Sequence, residues 1–146
     1  MMITAVDTNV LLDLLSPGNP HMNASEAALY RAFEAGRLVL SEAAYAELAA
    51  AFLTQGDCDS FLARTQIVVL ASDRSALFAA GLSWLGYARN RGPVRCPVCD
   101  SSVPMRQRVV ADFLIGAHAT THADQLLTRD RGFFRTYFAG LKLVEP

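Results

Sequence analysis

Short apolar runs alternate with amphipathic stretches along the whole chain. Ile3 to Val6 is a compact run that predicts a buried strand, and Thr8 to Leu15 predicts a short helix stopped by Ser16-Pro17-Gly18-Asn19-Pro20. A helix from Asn23 to Ala35 follows, with Gly36 as its stop, then a short strand at Leu38-Val39-Leu40. Ser41 can cap a helix running to Thr54, with Gly56 beyond it. A small helix from Asp57 to Arg64 leads to a strand at Gln66 to Leu70, and Ser72 can cap a long helix reaching Asn90. Residues 91–107 break the pattern with prolines and a cysteine pair, and read as a loop or insertion. The last third gives a helix from Arg108 to His122, a strand at Gln125 to Thr128, a helix from Arg131 to Phe138 and an edge strand at Leu141 to Val144. Strands alternating with helices predict an α/β fold, a central mostly parallel sheet of about four to five short strands with helices on both faces.

Composition narrows this picture. At 146 residues, 52% hydrophobic and 18% charged, the chain is expected to form a single globular domain over 1–146. No apolar stretch approaches the roughly 18 residues of a membrane span, and no basic segment followed by an apolar core opens the chain, so a soluble cytoplasmic protein is expected. Three cysteines do not make a disulfide framework. A net charge of −1 supplies no global attraction to polyanions, so any nucleic-acid affinity must come from local patches.

Four carboxylates stand where carboxylates are costly. Asp7 interrupts an apolar run at the end of the first strand. Glu47 is the only charged residue from Ala43 to Gly56, and points away from the apolar stripe of Tyr45, Leu48, Ala49 and Phe52, among Ala43, Ala44, Ala50 and Ala51. That small-residue face suggests close packing and a partly enclosed Glu47; the alternative is an isolated surface glutamate. Asp112 is the only acid between Val109 and Ala123, and Gly116, Ala119 and Ala123 continue its face, where neighbouring backbone could approach. Asp130 lies just past a strand, where ligands gather in open parallel sheets, or where a helix cap is needed. If the four converge, their repulsion must be relieved, since two charges about 4 Å apart cost about 4 kcal/mol at an effective dielectric near 20. Protonation would relieve it, and so would a divalent cation; oxygen ligands suit Mg²⁺ or Mn²⁺, which can activate a water for attack on phosphorus.

Val6-Asp7-Thr8-Asn9-Val10-Leu11-Leu12, Ser41 to Leu48, Ala111-Asp112-Phe113-Leu114-Ile115-Gly116-Ala117 and Leu126-Leu127-Thr128-Arg129-Asp130-Arg131-Gly132-Phe133 together resemble the PIN-domain ribonucleases, in particular the VapC-like toxins of type II toxin–antitoxin pairs. The resemblance implies a PIN-like fold and a Mg²⁺- or Mn²⁺-dependent endoribonuclease acting on RNA. It also implies a homodimer and inhibition by a cognate VapB-like antitoxin. By position, Asp7 and Asp112 would be the main metal ligands and catalytic acids, with Glu47 and Asp130 completing the pocket, often through water. Thr8, Asn9 and Thr128 would be supporting polar neighbours. Eight of the 13 Lys and Arg residues fall beside this site, at 89, 91, 95, 106, 108, 129, 131 and 135; of these, Arg106, Arg108, Arg129 and Arg131 are the RNA-contact candidates, with ordinary solvated charge as the alternative.

Cys96-Pro97-Val98-Cys99 departs from the family pattern. It resembles one knuckle of a structural zinc site, but such a site needs four ligands. The others would be Cys58, histidines or the same pair from a second subunit; a plain loop with free thiols and a local disulfide are the alternatives. His118 and His122, at i and i+4, suit surface or packing roles better than metal. A non-catalytic PIN-like module that only binds RNA or protein is the rival reading of the whole chain.

Overall fold

The computed structural model describes residues 1–90, 94–103 and 110–146. In chain order the elements are β1 (Met2–Val6), α1 (Thr8–Leu15), α2 (Met22–Ala35), β2 (Gly36–Leu40), α3 (Glu42–Ala49), α4 (Gln55–Thr65), β3 (Ile67–Val69), α5 (Arg74–Asn90), β4 (Val94–Arg95), β5 (Ser102–Val103), α6 (Val110–His122), β6 (Gln125–Leu127), α7 (Arg131–Tyr137) and β7 (Leu143–Val144). The main sheet has the order β3-β2-β1-β6-β7 and every pairing in it is parallel. Thr4, Ala5 and Val6 point alternately to its two faces and all three are buried, so helices cover both sides as expected.

Strand order fixes where a site can form. From β1 the chain runs outward through β2 and β3 in one direction and later through β6 and β7 in the other, which makes the β1/β6 boundary the switch point of the sheet. Flanking helices part at such a boundary, leaving a crevice beyond the carboxyl ends of the strands. The register pairs Val6 with Leu127, so the residues that follow each strand, Asp7 and Thr128, emerge side by side.

Several boundaries differ from expectation for local reasons: α5 is capped by Asp73, whose Oδ1 accepts from the Ala76 amide at 2.8 Å, while the Ser72 hydroxyl donates to Glu42 Oε2 at 2.9 Å. The helix starting after Ser41 stops at Ala49 instead of Thr54, because Thr54 caps a new helix: its hydroxyl oxygen accepts from the Asp57 amide at 3.2 Å and its proton goes to Asp57 Oδ2 at 2.7 Å. Gly56 therefore lies inside α4. Gln66 is not a strand residue but ends α4 in the left-handed region, at φ 54°. Residues 94–103 of the expected loop form a small antiparallel hairpin, β4–β5, between α5 and α6.

Phe113 of α6 anchors the core behind the crevice, in edge and tilted contacts with Tyr87, Phe133, Tyr137 and Phe138 at centroid distances of 5.1 to 6.3 Å. Gly36, opposite Met2 in the β1–β2 ladder, leaves no room for a side chain: a Cβ there would lie 1.9 Å from the Met2 carbonyl oxygen. Backbone cannot yield cheaply inside a ladder. Gly36→Ala is therefore expected to lower stability by about 2 kcal/mol or more in urea unfolding, whereas Arg37→Ala at the exposed neighbouring position should change it by less than about 0.5 kcal/mol.

Candidate active site

Asp7 occupies the N-cap position of α1 in extended conformation, yet its carboxylate makes no capping bond. It turns instead toward β6. Oδ2 accepts from the Thr128 hydroxyl at 2.6 Å and from Asn9 Nδ2 at 2.9 Å. Thr128 is fully buried, and its oxygen also accepts from the Asp130 amide at 3.0 Å, so one hydroxyl fixes the end of β1 to the loop after β6. Asn9 Oδ1 adds a bond from the Arg129 amide at 3.3 Å.

Burial dominates the acidity of Asp7, which is 5% exposed. Desolvation pushes its pKa up, the Thr128 bond opposes this, and the charges of Asp112 and Glu47 push it further, to about 6. Asp112, half-buried in the first described turn of α6, is likewise raised by burial, then by Glu47 and Asp130. The carboxylates after β1, on α3, on α6 and after β6 thus act on one another, and the crevice collects all four expected acids.

Their individual settings differ from expectation. Glu47 is exposed, not partly enclosed, because only Ala44 of the small-residue face is fully buried while Ala50 and Ala51 face outward. The Thr8 hydroxyl nonetheless holds its Oε2 at 2.7 Å. What meets Gly116 on the Asp112 face is the Phe138 ring, 2.3 Å from where a Cβ would stand, rather than neighbouring backbone. Asp130 caps α7, accepting from the Phe133 amide at 3.3 Å through Oδ1, and still raises Asp112 by its charge. Among the described residues no three carboxylate, cysteine or histidine groups approach closely enough to enclose a metal directly.

Arg129 is corrected as an RNA contact. Its guanidinium forks onto Asp13 of α1, with Nε to Oδ2 at 2.8 Å and Nη2 to Oδ1 at 2.9 Å. Asp13 is 1% exposed and also accepts from Ser25 at 2.6 Å and Asn19 at 3.0 Å. Burial alone would raise its pKa, but the Ser25, Arg129 and Asn19 bonds and the arginine charge outweigh it and hold the carboxyl below the usual range. Arg131 pairs with Glu145 at 3.2 Å. Arg91, Arg106 and Arg108 lie outside the described residues. Asp13 was missed, although it is a lone acid on an apolar helix, the same signal that marked Glu47 and Asp112.

The remaining candidates stand apart from this crevice. His118 is buried with Nε2 2.7 Å from the Leu70 carbonyl, and His122 Nε2 lies 3.9 Å from Asp73 Oδ2, which are packing and surface roles. Cys58 is buried in α4, while Cys96 and Cys99 sit in the β4–β5 hairpin; none forms a disulfide.

A five-stranded parallel α/β sheet with acids gathered beyond its switch point defines the class. The PIN domain model matches residues 4–139, and the chain belongs to the PIN domain family. No protein of curated function matches it by sequence. Among solved structures, VapBC2 from Rickettsia felis bound to a DNA fragment from its promoter matches with TM-score 0.66 at 17% identity, covering 99% of each chain. FitAB bound to an IR36 DNA fragment gives 0.57 at 21%, covering 98% of this chain and 94% of that one. The Mycobacterium tuberculosis toxin VapC20, which cleaves the sarcin-ricin loop, gives 0.58 at 14%, covering 98% and 99%. At these identities the likeness establishes the fold.

Two outcomes follow from the buried acids. An acid whose pKa is raised on folding takes up protons as the chain folds, so its contribution falls as pH rises. With Asp7 at 3.8 unfolded and about 6 folded, stability should drop by about 2 kcal/mol between pH 4 and 6.5, and Asp7→Asn should remove most of that slope and stabilise the metal-free protein at pH 7.5 by about 1–3 kcal/mol, read by urea unfolding across pH. Asp13→Ala, which strips the guanidinium of its partner, should cost about 2–4 kcal/mol in the same assay at pH 7.

Proposed function

We propose that this PIN domain, spanning 1–146 with the β4–β5 hairpin as an insertion, is a VapC-type endoribonuclease toxin. The observation that carries the reading is the group of mutually repelling carboxylates, Asp7, Glu47, Asp112 and Asp130, at the sheet's switch point. In the cytoplasm the chain hydrolyses RNA phosphodiester bonds using Mg²⁺ or Mn²⁺. Asp7 and Asp112, the two with raised pKa values, are the residues that would hold the cation directly, and Glu47 and Asp130 would reach it through water. When bound, the cation supplies Lewis-acid polarisation of a phosphoryl oxygen and acidifies a water.

The chain's own residues do the rest. Thr128 and Asn9 orient the Asp7 carboxylate through Oδ2, and Thr8 orients Glu47 through Oε2. Glu47, exposed at the mouth of the crevice, accepts the proton of the attacking water. Arg129 serves by pinning the loop after β6 to α1, leaving the RNA backbone to Arg106, Arg108 and Arg131. A cognate VapB-like antitoxin restrains the enzyme, a partner supported by the toxin–antitoxin complexes among its structural neighbours. A homodimer is supported by the stripe of Phe78, Leu82 and Leu85 on α5, at i, i+4 and i+7, where Phe78 is 70% exposed.

The test is cleavage of RNA with and without Mg²⁺ or Mn²⁺. Asp7→Asn and Asp112→Asn should each lower the metal-dependent rate by at least about 10³-fold and abolish growth arrest, while remaining folded. Mg²⁺ should raise the melting temperature of the parent protein at pH 7.5 but not that of the double variant. Metal-dependent cleavage surviving in both single variants would exclude the proposal, and a folded parent that neither binds the cation nor cleaves RNA would mark a binding module instead.

A further inference from the structure

The hairpin between α5 and α6 carries two thiols that the acidic crevice does not use. Cys96 and Cys99 flank the reversal between β4 and β5, closed by the Asp100 amide on the Cys96 carbonyl and the Cys96 amide on the Ser101 carbonyl, both at 2.9 Å. Asp100 adopts φ 55°, which turns the chain back after the second cysteine, and Arg95 Nη1 clamps the turn from outside, 3.1 Å from both the carbonyl oxygen and Oδ2 of Asp100. The Ser101 hydroxyl lies 2.9 Å from Cys99 Sγ. Cys99 is exposed, Cys96 is half-buried, and Val98 between them is 92% exposed.

A Cys-Pro-x-Cys turn can supply half of a tetrahedral thiolate site, and closed zinc sites take four ligands. The chain's other thiol and its imidazoles are placed elsewhere. Cys58 is buried within α4, His118 is engaged with the Leu70 carbonyl, His122 with Asp73, and His21 precedes α2. Residues 91–93 and 104–109, on either side of the hairpin, contain no Cys, His, Asp or Glu at all. Among the described residues no third ligand-forming group joins the pair. An identical pair brought by a two-fold axis completes the set, because an isologous contact presents the same turn from both sides.

The geometry points to a shared metal site in which Cys96 and Cys99 from two copies of this chain hold one Zn²⁺ as a Cys₄ tetrahedron. Four thiols give up their protons on binding, and the resulting centre carries a charge of −2. Zinc would act as a clasp between copies, independent of the cation in the acidic crevice.

Native mass spectrometry of the full chain with Zn²⁺ under reducing conditions tests this directly. One zinc per two chains is expected, in a species that chelator strips of metal, and Co²⁺ in its place should give the absorption of tetrahedral thiolate coordination. Cys96→Ser and Cys99→Ser, at a solvent-facing turn that leaves the core intact, should each reduce zinc content at least about tenfold. One zinc per chain, undiminished zinc in either variant, or no zinc in the parent protein would overturn the inference. RNA cleavage measured alongside separates the two readings: zinc-free protein that still cleaves with Mg²⁺ leaves the nuclease standing, and zinc-loaded protein that never cleaves leaves the clasp standing.

Discussion

The hydrogen bond from Thr128 to Asp7 joins the fold to its chemistry. Parallel pairing of β1 with β6 sets Val6 opposite Leu127, so the next residues of both strands must meet where the sheet reverses direction. A buried carboxylate at that point loses most of its hydration. A charge-assisted bond returns about 1.5–3 kcal/mol. Burial and the neighbouring acids still win, since the pKa remains raised to about 6 with the bond in place. The neutral donors around Asp7 orient it without neutralising it.

A second buried acid, about 9 Å of helix further along α1 by rise per residue, shows the contrast. Asp13 is more enclosed than Asp7, yet its pKa is lowered, because a guanidinium and two neutral donors occupy both of its oxygens. One helix thus carries a satisfied acid and an unsatisfied one. Asp13 has a cationic partner and both oxygens satisfied where Asp7 has only neutral donors, which separates the acid that fastens Arg129 and its loop from the acid that faces the crevice. Since Arg129 follows Thr128 directly, the ion pair also steadies the hydroxyl that orients Asp7.

Much of this was legible in the chain itself. Contiguous burial of Thr4 to Val6 and the apolar β6 announce a sheet covered on both faces, and the lone acids at Glu47 and Asp112 announce a shared site, because isolated charges on apolar helices need a reason. Partner choice was not legible. Whether Arg129 meets RNA or Asp13 depends on a contact across 116 residues, and whether Glu47 is enclosed depends on which neighbours of Ala50 and Ala51 the fold supplies. Capping was legible at Ser41, whose hydroxyl oxygen accepts from the Ala44 amide, whereas reading Gly56 as a stop overlooked Thr54 with Asp57, which ends one helix and starts the next.

Strand-to-helix junctions show why the same residue type serves two ends. Asp130 and Asp7 both follow a strand and precede a helix, and local propensity would make each a cap. Asp130 becomes one, bonding the Phe133 amide, because the Thr128 oxygen fixes its own amide and leaves the side chain to its helix. Asp7 does not, because its Oδ2 is taken by the Thr128 hydroxyl across the strand boundary and by the side-chain amide of Asn9 instead of a backbone N–H of α1. The first turn of α1 therefore goes without a side-chain cap, at a cost of roughly 1 kcal/mol. Local stability is given up where the sheet delivers a carboxylate to the crevice, and is kept where it does not need to.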